Sequence, residues 1–142
     1  MSQPYVEHAN LTVRDIQEIS DLLLCALPTW RVRGEGRMRW SGQEIRWRHV
    51  GSDASYVALQ DGGDGDFPDW RGSRVGMKHL GFVVPSLDDT LRRLAAAGHD
   101  VDHWGGEHPH RRSAYIVAPG GLQFEFVEYL SEQAAERNDY AR

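Results

Sequence analysis

Two histidines stand at matching places in two similar stretches of the chain. His8 begins His-Ala-Asn-Leu-Thr-Val, and His79 begins His-Leu-Gly-Phe-Val-Val. A third residue, Glu125, lies between two phenylalanines in an apolar run, where an unpaired carboxylate is costly to bury. Two imidazoles and one carboxylate form a three-ligand set that leaves open positions on a divalent ion. These residues predict a metal site; the competing interpretation is that each histidine is an ordinary strand residue.

The elements that carry the histidines are predicted to be β-strands followed by helices. Alternation puts the apolar residues of each strand on one face, with the histidine on the other. Each strand precedes a helix with a capping-box pattern: Asp15 with Glu18, and Ser86 with Asp89. Because the apolar face packs against the helix, we expect the histidines to face whatever the sheet encloses.

The order β-α-β-β-β occurs twice, which indicates an internal duplication within one domain of α+β class. The predicted boundaries are a first module at 5–60, a linker at 61–75, a second module at 76–130 and a polar tail at 131–142. The Gly-, Asp- and Pro-rich composition of residues 61–75 indicates the linker. In the first module, Gly34 and Gly36 are predicted to form the turn of a hairpin between residues 30 and 40.

Composition narrows the function classes. The 142 residues are 40% hydrophobic with a formal net charge of −5, enough for one folded domain and unfavourable for binding nucleic acid or an anionic membrane. No run approaches 18 apolar residues, the N-terminus lacks a signal-peptide pattern, and the lone Cys25 has no disulfide partner. We therefore expect a soluble, cytoplasmic protein.

Further candidates lie near the predicted metal site. Ser113 and Tyr115 share one strand face before Glu125, and Tyr115 is either catalytic or a packing residue. The preceding loop offers His108 or His110 as a general base and Arg111 or Arg112 as an anion clamp, unless it is simply a solvated loop. His49, which alternates with Trp47 on one face of a first-module strand, and Gln60 are further candidates for binding a substrate. The arginines at 31, 33, 37, 39, 46 and 48 are predicted to face solvent, and His99 and His103 are predicted to lie at the surface.

The paired modules, the two histidine strands, and Glu125 after Ala118-Pro119-Gly120-Gly121 resemble the vicinal oxygen chelate superfamily, over about residues 5–130. That family includes glyoxalase I, extradiol dioxygenases, fosfomycin-resistance transferases and bleomycin-binding proteins. The resemblance implies a half-open barrel around a central cavity, a divalent ion (Fe, Mn, Zn or Ni) held by His8, His79 and Glu125, and a homodimer.

The chain departs from the glyoxalase pattern at one ligand position. Glyoxalase I carries a fourth ligand on the last strand of its first module, where this chain has Ala58. Gln60, two residues on, is the available substitute. The resemblance thus implies a metalloenzyme that chelates a small oxygenated substrate through two oxygens, as a lyase, dioxygenase or thiol transferase, with Tyr115 and Ser113 at substrate-contacting positions. The alternative is a non-catalytic binding protein of the bleomycin-resistance type.

Overall fold

The computed structural model describes residues 3–141, and the chain divides into two compact units, residues 1–65 and 66–142. Unit one contains β1 (His8–Thr12), α1 (Ile16–Ala26), β2 (Arg31–Trp40), β3 (Gln43–Gly51) and β4 (Tyr56–Gln60). Unit two contains β5 (His79–Val83), α2 (Leu87–Ala96), β6 (His103–Trp104), β7 (Arg111–Val117), β8 (Gln123–Tyr129) and the short α3 (Ala134–Arg137). The predicted α+β class and the repeated β-α-β-β-β order are confirmed.

Each unit forms one four-stranded mixed sheet, and neither sheet is closed. The strand order is β1-β4-β3-β2 in unit one and β5-β8-β7-β6 in unit two. In both, the first strand pairs in parallel with the last strand of its unit, and the other pairs are antiparallel. The two sheets therefore have equivalent positions, which can be matched by register.

The helices begin where the capping pattern predicts. The Asp15 carboxylate accepts a hydrogen bond from the Gln17 backbone at 2.8 Å, and the Ser86 hydroxyl accepts one from the Asp89 backbone at 3.2 Å. Helix α1 buries an apolar stripe, Ile16, Ile19, Leu22, Leu23 and Ala26, against its sheet. This packing fixes which face of each strand is available to a ligand.

The predicted turn at Gly34 and Gly36 is wrong. Both glycines lie inside β2, and the hairpin turns at Ser41 and Gly42, whose φ angles are 50° and 79°. Two consecutive positive φ values match the two-residue turn that suits the twist of a hairpin. The glycines serve a different purpose: Gly34 and Gly36 pair with His49 and Trp47 of β3, and the Trp47 indole lies against them.

A β-bulge interrupts the β2–β3 ladder. Val32 pairs with Val50 and Gly34 pairs with His49, so Arg33 is the extra residue. Alternation resumes after the bulge.

We call the side of each sheet that packs on its helix the helix face and the other side the helix-free face. In unit one, Arg48 lies on the helix face, where its guanidinium donates to Ser20 and Gln17 of α1 and pairs with Glu35. Its side chain is only 12% exposed, so the expectation that this arginine faces solvent is wrong. By alternation, Trp47 and His49 lie on the helix-free face.

The segment between the sheets contains no strand or helix, as its composition predicts. Phe67 donates a backbone hydrogen bond to Gly120 at 2.8 Å, which ties the segment to the β7–β8 turn within unit two. None of the helices in the described part of the chain is long and apolar enough to cross a membrane.

Candidate functional site

Four chemically active residues lie close together on the helix-free face of unit two. They are His79, His103, Tyr115 and Glu125. The last three are in register with Gly81 across four neighbouring strands, and His79 stands two residues before Gly81. Residues opposite one another on adjacent strands have their Cβ atoms about 5 Å apart, so these side chains are in contact range. The alternation of β5 and β8, read from the sequence, predicted that His79 and Glu125 would face the same way.

His79 and Glu125 make a close pair. The distance from His79 Nε2 to Glu125 Oε2 is 3.2 Å, and the two side chains are 40% and 18% exposed. The carboxylate is thus largely withdrawn from water while the imidazole remains accessible. The absent side chain of Gly81, which faces Glu125, leaves room beside them, since a Cβ there would lie 3.9 Å from Glu125 Oε2.

Tyr115 contacts both members of this pair. Its ring meets the His79 ring edge-on, with ring centres 5.2 Å apart. Burial, the negative charge of Glu125 and a hydrogen bond to that carboxylate raise the pKa of the Tyr115 hydroxyl above its usual value. Tyr115 therefore keeps its proton at neutral pH and can donate it as a hydrogen bond.

His103 was predicted to be a surface residue, yet it belongs to this cluster. Its ring stacks on Tyr115 with centres 4.2 Å apart, and Trp70 stacks on its other side at 4.5 Å. The carboxylate of Asp102 lies 2.8 Å from His103 Nδ1. Sequence reasoning missed His103 and Trp70 because neither is near the motif residues in the chain, and β6 has only two residues.

Gln123 is an unusual neighbour of His79. It pairs with His79 in register and is only 1% exposed, and its side-chain Nε2 finds no hydrogen-bond partner among the described residues. A buried amide without a partner is rare and costly. The position indicates that a polar group is expected beside His79.

His8 lies on the helix-free face of unit one, in a stack of rings. Its imidazole stacks on Tyr56 with centres 4.6 Å apart, and His49 stacks on Tyr56 at the same distance. Glu7 lies 3.0 Å from His8 Nδ1, so Nε2 is the ring nitrogen left for another partner. The sequence identified His8 and His49 but not Tyr56, which joins them.

The electrostatics of this stack depend on Arg33. The guanidinium carbon lies 4.3 Å from the centre of the Tyr56 ring. Burial and the positive charges of Arg33 and His8 lower the pKa of His49, so His49 is neutral at pH 7. Sequence reasoning placed Arg33 in solvent because the bulge that redirects it could not be seen.

A pocket of about 260 Å³ opens beside His49 on the same unit. Its lining consists of Asn10, Met38, Trp47, His49, Ala58, Leu59 and Gln60. The predicted substrate-binding residues His49 and Gln60 therefore share one pocket.

Ala58 and Glu125 occupy equivalent positions. Ala58 pairs with Asn10 two residues after His8, as Glu125 pairs with Gly81 two residues after His79. Unit one thus lacks a carboxylate where unit two has one. Within each unit taken by itself, the described residues contain no group of three or more His, Cys, Asp or Glu side chains positioned to hold a metal ion.

The arginines after the second-unit loop separate onto two faces. Arg112 pairs with Asp88 of α2 at 2.9 Å and with Glu128 at 3.5 Å, on the helix face and opposite to Tyr115. Arg111, on the same side as Ser113 and Tyr115, lies 5.8 Å from the Tyr140 ring centre. Adjacent strand residues cannot both face one ligand, so of the two arginines only Arg111 is on the side of Tyr115.

His110 and Ser113 have different surroundings from Tyr115. His110 Nδ1 lies 3.7 Å from Glu136 of α3, and its backbone carbonyl accepts from Leu130. The stretch from Arg111 to Tyr115 alone spans about 13 Å of strand, so His110 is distant from the Tyr115 hydroxyl. Ser113 faces Gly105, where a Cβ would lie 2.0 Å from the Ser113 hydroxyl oxygen.

No family profile matches the sequence, and no curated protein matches it. Solved structures do match over most of the chain. A glyoxylase/bleomycin resistance protein/dioxygenase domain from Frankia sp. EAN1pec is 26% identical, with a TM-score of 0.69, covering 90% of this chain and 99% of that one. A glyoxalase family protein from Bacillus cereus is 12% identical, with a TM-score of 0.74, covering 92% and 97%.

A third structure carries a metal. The fosfomycin resistance protein FosX from Listeria monocytogenes, complexed with Mn(II) and sulfate, is 15% identical, with a TM-score of 0.65, and the match covers 98% of this chain and 100% of that one. The resemblance read from the two histidine strands and Glu125 is confirmed in the fold: the chain has the glyoxalase/bleomycin resistance/dioxygenase fold of the vicinal oxygen chelate superfamily.

Proposed function

We propose that the protein is a metal-dependent enzyme of the vicinal oxygen chelate type that acts on a small oxygenated molecule. The observation that carries this is the 3.2 Å separation of His79 Nε2 and Glu125 Oε2. Two donors bound to one ion at about 2.1 Å lie roughly 3.0–3.4 Å apart in octahedral or tetrahedral geometry. The pair therefore fits two adjacent positions on a divalent ion.

We assign His8 as the third ligand because it is the residue equivalent to His79. Glu7 engages Nδ1 of His8, which fixes the ring and leaves Nε2 as the donor. A carboxylate on the second ring nitrogen is the usual support for a metal-binding histidine.

When bound, a divalent ion supplies a Lewis acid that holds two oxygens of a substrate and stabilises negative charge on them. The chain's own contribution is Tyr115. Its hydroxyl keeps its proton because burial and Glu125 raise its pKa, and it lies against His79. Tyr115 is therefore a hydrogen-bond and proton donor to a substrate held at this pair. His110 is the weaker candidate for proton transfer, because its side chain lies beside Glu136 and not beside the His79–Glu125 pair.

The second candidate function is a small-molecule binding protein without chemistry, of the bleomycin-resistance type. The pocket of unit one favours it, because its lining is mostly apolar and aromatic and needs no metal. Metal retention separates the two, since a binding protein of this kind does not depend on Glu125.

Titration of the purified, chelator-treated protein with Mn²⁺ tests the enzyme proposal. Free Mn²⁺ is measured by electron paramagnetic resonance. Glu125→Gln replaces a charged ligand by a neutral amide, and we expect it to weaken Mn²⁺ affinity at least tenfold. His8→Gln should do the same.

Matched controls are available in the same chain. Glu128→Gln changes a carboxylate three residues along β8 that pairs with Arg112, and His99→Gln changes a histidine outside the site; both should leave Mn²⁺ affinity unchanged. Equal affinity in the wild-type protein and Glu125→Gln would reject the metal site.

A further inference from the structure

We infer that unit one carries a subsite for a planar aromatic ring that bears a carboxylate or a similar anionic group. The inference rests on the proposed function in one respect: it names the class of substrate that the enzyme would take. Binding of such a ring uses residues of unit one alone, so it can be measured without metal or turnover.

The first observation is the position of Trp47. Two glycines of β2, Gly34 and Gly36, lie under its indole: a Cβ on Gly36 would be 3.0 Å from Trp47 Nε1, and one on Gly34 would be 3.8 Å from the ring carbons. Most side chains at Gly36 would displace the indole. The two glycines therefore hold the indole flat against β2, as a fixed aromatic wall on the helix-free face.

The second observation is the pocket next to this wall. His49 tilts toward Trp47, with ring centres 5.0 Å apart, and both rings line the 260 Å³ pocket. This volume is just below the range of drug-sized ligand sites, about 300–1,000 Å³, so it suits one or two fused rings. Asn10 and Gln60 place amides in the same lining, where they can hydrogen-bond a ring substituent.

The third observation is an arginine without an acidic partner. Four arginines of the β2–β3 hairpin pair with carboxylates: Arg31 with Asp53, Arg37 with Glu44, Arg46 with Asp61 and Arg48 with Glu35. Among the described residues, Arg33 has no such pair, and its guanidinium lies on the face of Tyr56 instead. Tyr56 in turn stacks on His49, which lines the pocket, and the positive charge of Arg33 acts on His49.

These features select the ligand class. The tryptophan and imidazole rings select flat aromatic groups, because stacking needs two planar surfaces. The guanidinium of Arg33 makes no close ion pair, although its charge acts on Asp53, the partner of Arg31. It selects an anion with paired oxygens such as a carboxylate. His49 adds no second charge at neutral pH, because burial and Arg33 lower its pKa.

Calorimetric titration of the chelator-treated protein with 1-naphthoate tests the inference. We expect saturable binding at one site. The neutral 1-naphthylmethanol and the non-planar cyclohexanecarboxylate should each bind at least tenfold more weakly, because the first lacks the anion and the second lacks the flat ring. Either compound binding as tightly as 1-naphthoate, or no binding of 1-naphthoate, would overturn the inference.

Variants locate the binding. Trp47→Leu keeps an apolar side chain over the glycines but removes the aromatic ring, and Arg33→Gln removes the cation; each should weaken 1-naphthoate binding at least tenfold. In Arg33→Gln the preference for 1-naphthoate over 1-naphthylmethanol should disappear. Trp40→Leu and Arg39→Gln, at the exposed end of the same hairpin, should bind like the wild-type protein. Unchanged affinity in Trp47→Leu or Arg33→Gln refutes the subsite.

The outcome is separable from that of the metal proposal. Trp47→Leu and Arg33→Gln should retain the wild-type Mn²⁺ affinity, while Glu125→Gln should retain 1-naphthoate binding. A wild-type protein that binds 1-naphthoate but no Mn²⁺ would reject the enzyme and leave the subsite standing. The reverse result would leave the metal site standing and reject the subsite.

Discussion

The two units place different side chains at the same positions of the same sheet. Where unit two has Glu125, unit one has Ala58, and where unit two has Tyr115, unit one has His49. Unit two therefore offers a carboxylate and a phenol beside its histidine, and unit one offers rings beside an arginine without a carboxylate partner. One backbone pattern thus carries residues of the proposed metal site in one copy and of the proposed anion subsite in the other.

The comparison also shows which differences are imposed by the backbone. Gly51 and Val117 are equivalent, since Gly51 pairs with Tyr56 and Val117 pairs with Gln123. A Cβ at Gly51 would lie 2.2 Å from the Ser55 carbonyl oxygen and 2.5 Å from the Tyr56 Cα. Val117 is instead 41% exposed. The tight turn from Ser52 to Ser55 after β3 leaves no room for a side chain in unit one.

Placing the valine of unit two at the equivalent glycine of unit one should have the largest effect on stability. We expect Gly51→Val to lower the free energy of unfolding by about 3 kcal/mol or more, because backbone atoms and not a flexible side chain block the new methyl groups. The measurement is urea denaturation followed by circular dichroism.

The reciprocal change is the control. Val117→Gly should cost about 1 kcal/mol, since it removes an exposed strand residue and adds backbone freedom. Similar losses for the two variants would show that the units do not differ at this position as described.

Removing the carboxylate of unit two should change the titration of its phenol. In the metal-free protein, Glu125→Gln should lower the pKa of Tyr115, because the negative charge and its hydrogen bond disappear while burial remains. Absorbance at 295 nm in an alkaline titration measures this, and Tyr115→Phe identifies the signal. A Tyr115 pKa that does not move would separate the phenol from Glu125.

The neutral histidine of unit one should give the smallest effect, a change in the pH dependence of stability. The pKa of His49 is lowered in the folded protein from its ordinary value of 6.5, so below that value the unfolded chain binds more protons. His49 therefore reduces stability as the pH falls through 6.5, and this loss levels off once the folded form is also protonated.

Melting temperatures between pH 5 and 8 measure this slope. His49→Gln should flatten it. An identical slope in His49→Gln and the wild-type protein would contradict the environment described for His49.

The sequence predicted the elements well because its signals for them are local. The side chains of Asp15 and Ser86 cap their helices by accepting hydrogen bonds from backbone N–H groups two and three residues away. Alternation in β5 and β8 is enough to put His79 and Glu125 on one face. Because the β-α-β-β-β order occurs twice in the sequence, the prediction for each copy supported the prediction for the other. Element order, capping and facing therefore needed no knowledge of long-range contacts.

The rest of the site depends on register between distant strands. Tyr56 meets His8 across the β1–β4 ladder, and His103 meets Tyr115 across β6 and β7; neither pairing can be counted from residue spacing alone. Arg112 is the exception. Its position next to Arg111 in a strand already implied that only one of them faces the site.

The bulge in β2 has a consequence for how the cation of unit one could arise in evolution. Arg33 is the inserted residue, and removing it would restore an uninterrupted ladder from Val32 to Gly34. A substitution elsewhere in the strand would have to follow the ordinary alternation of faces. Among relatives with this fold, gain or loss of the cation should therefore track the insertion or deletion of a single codon in β2.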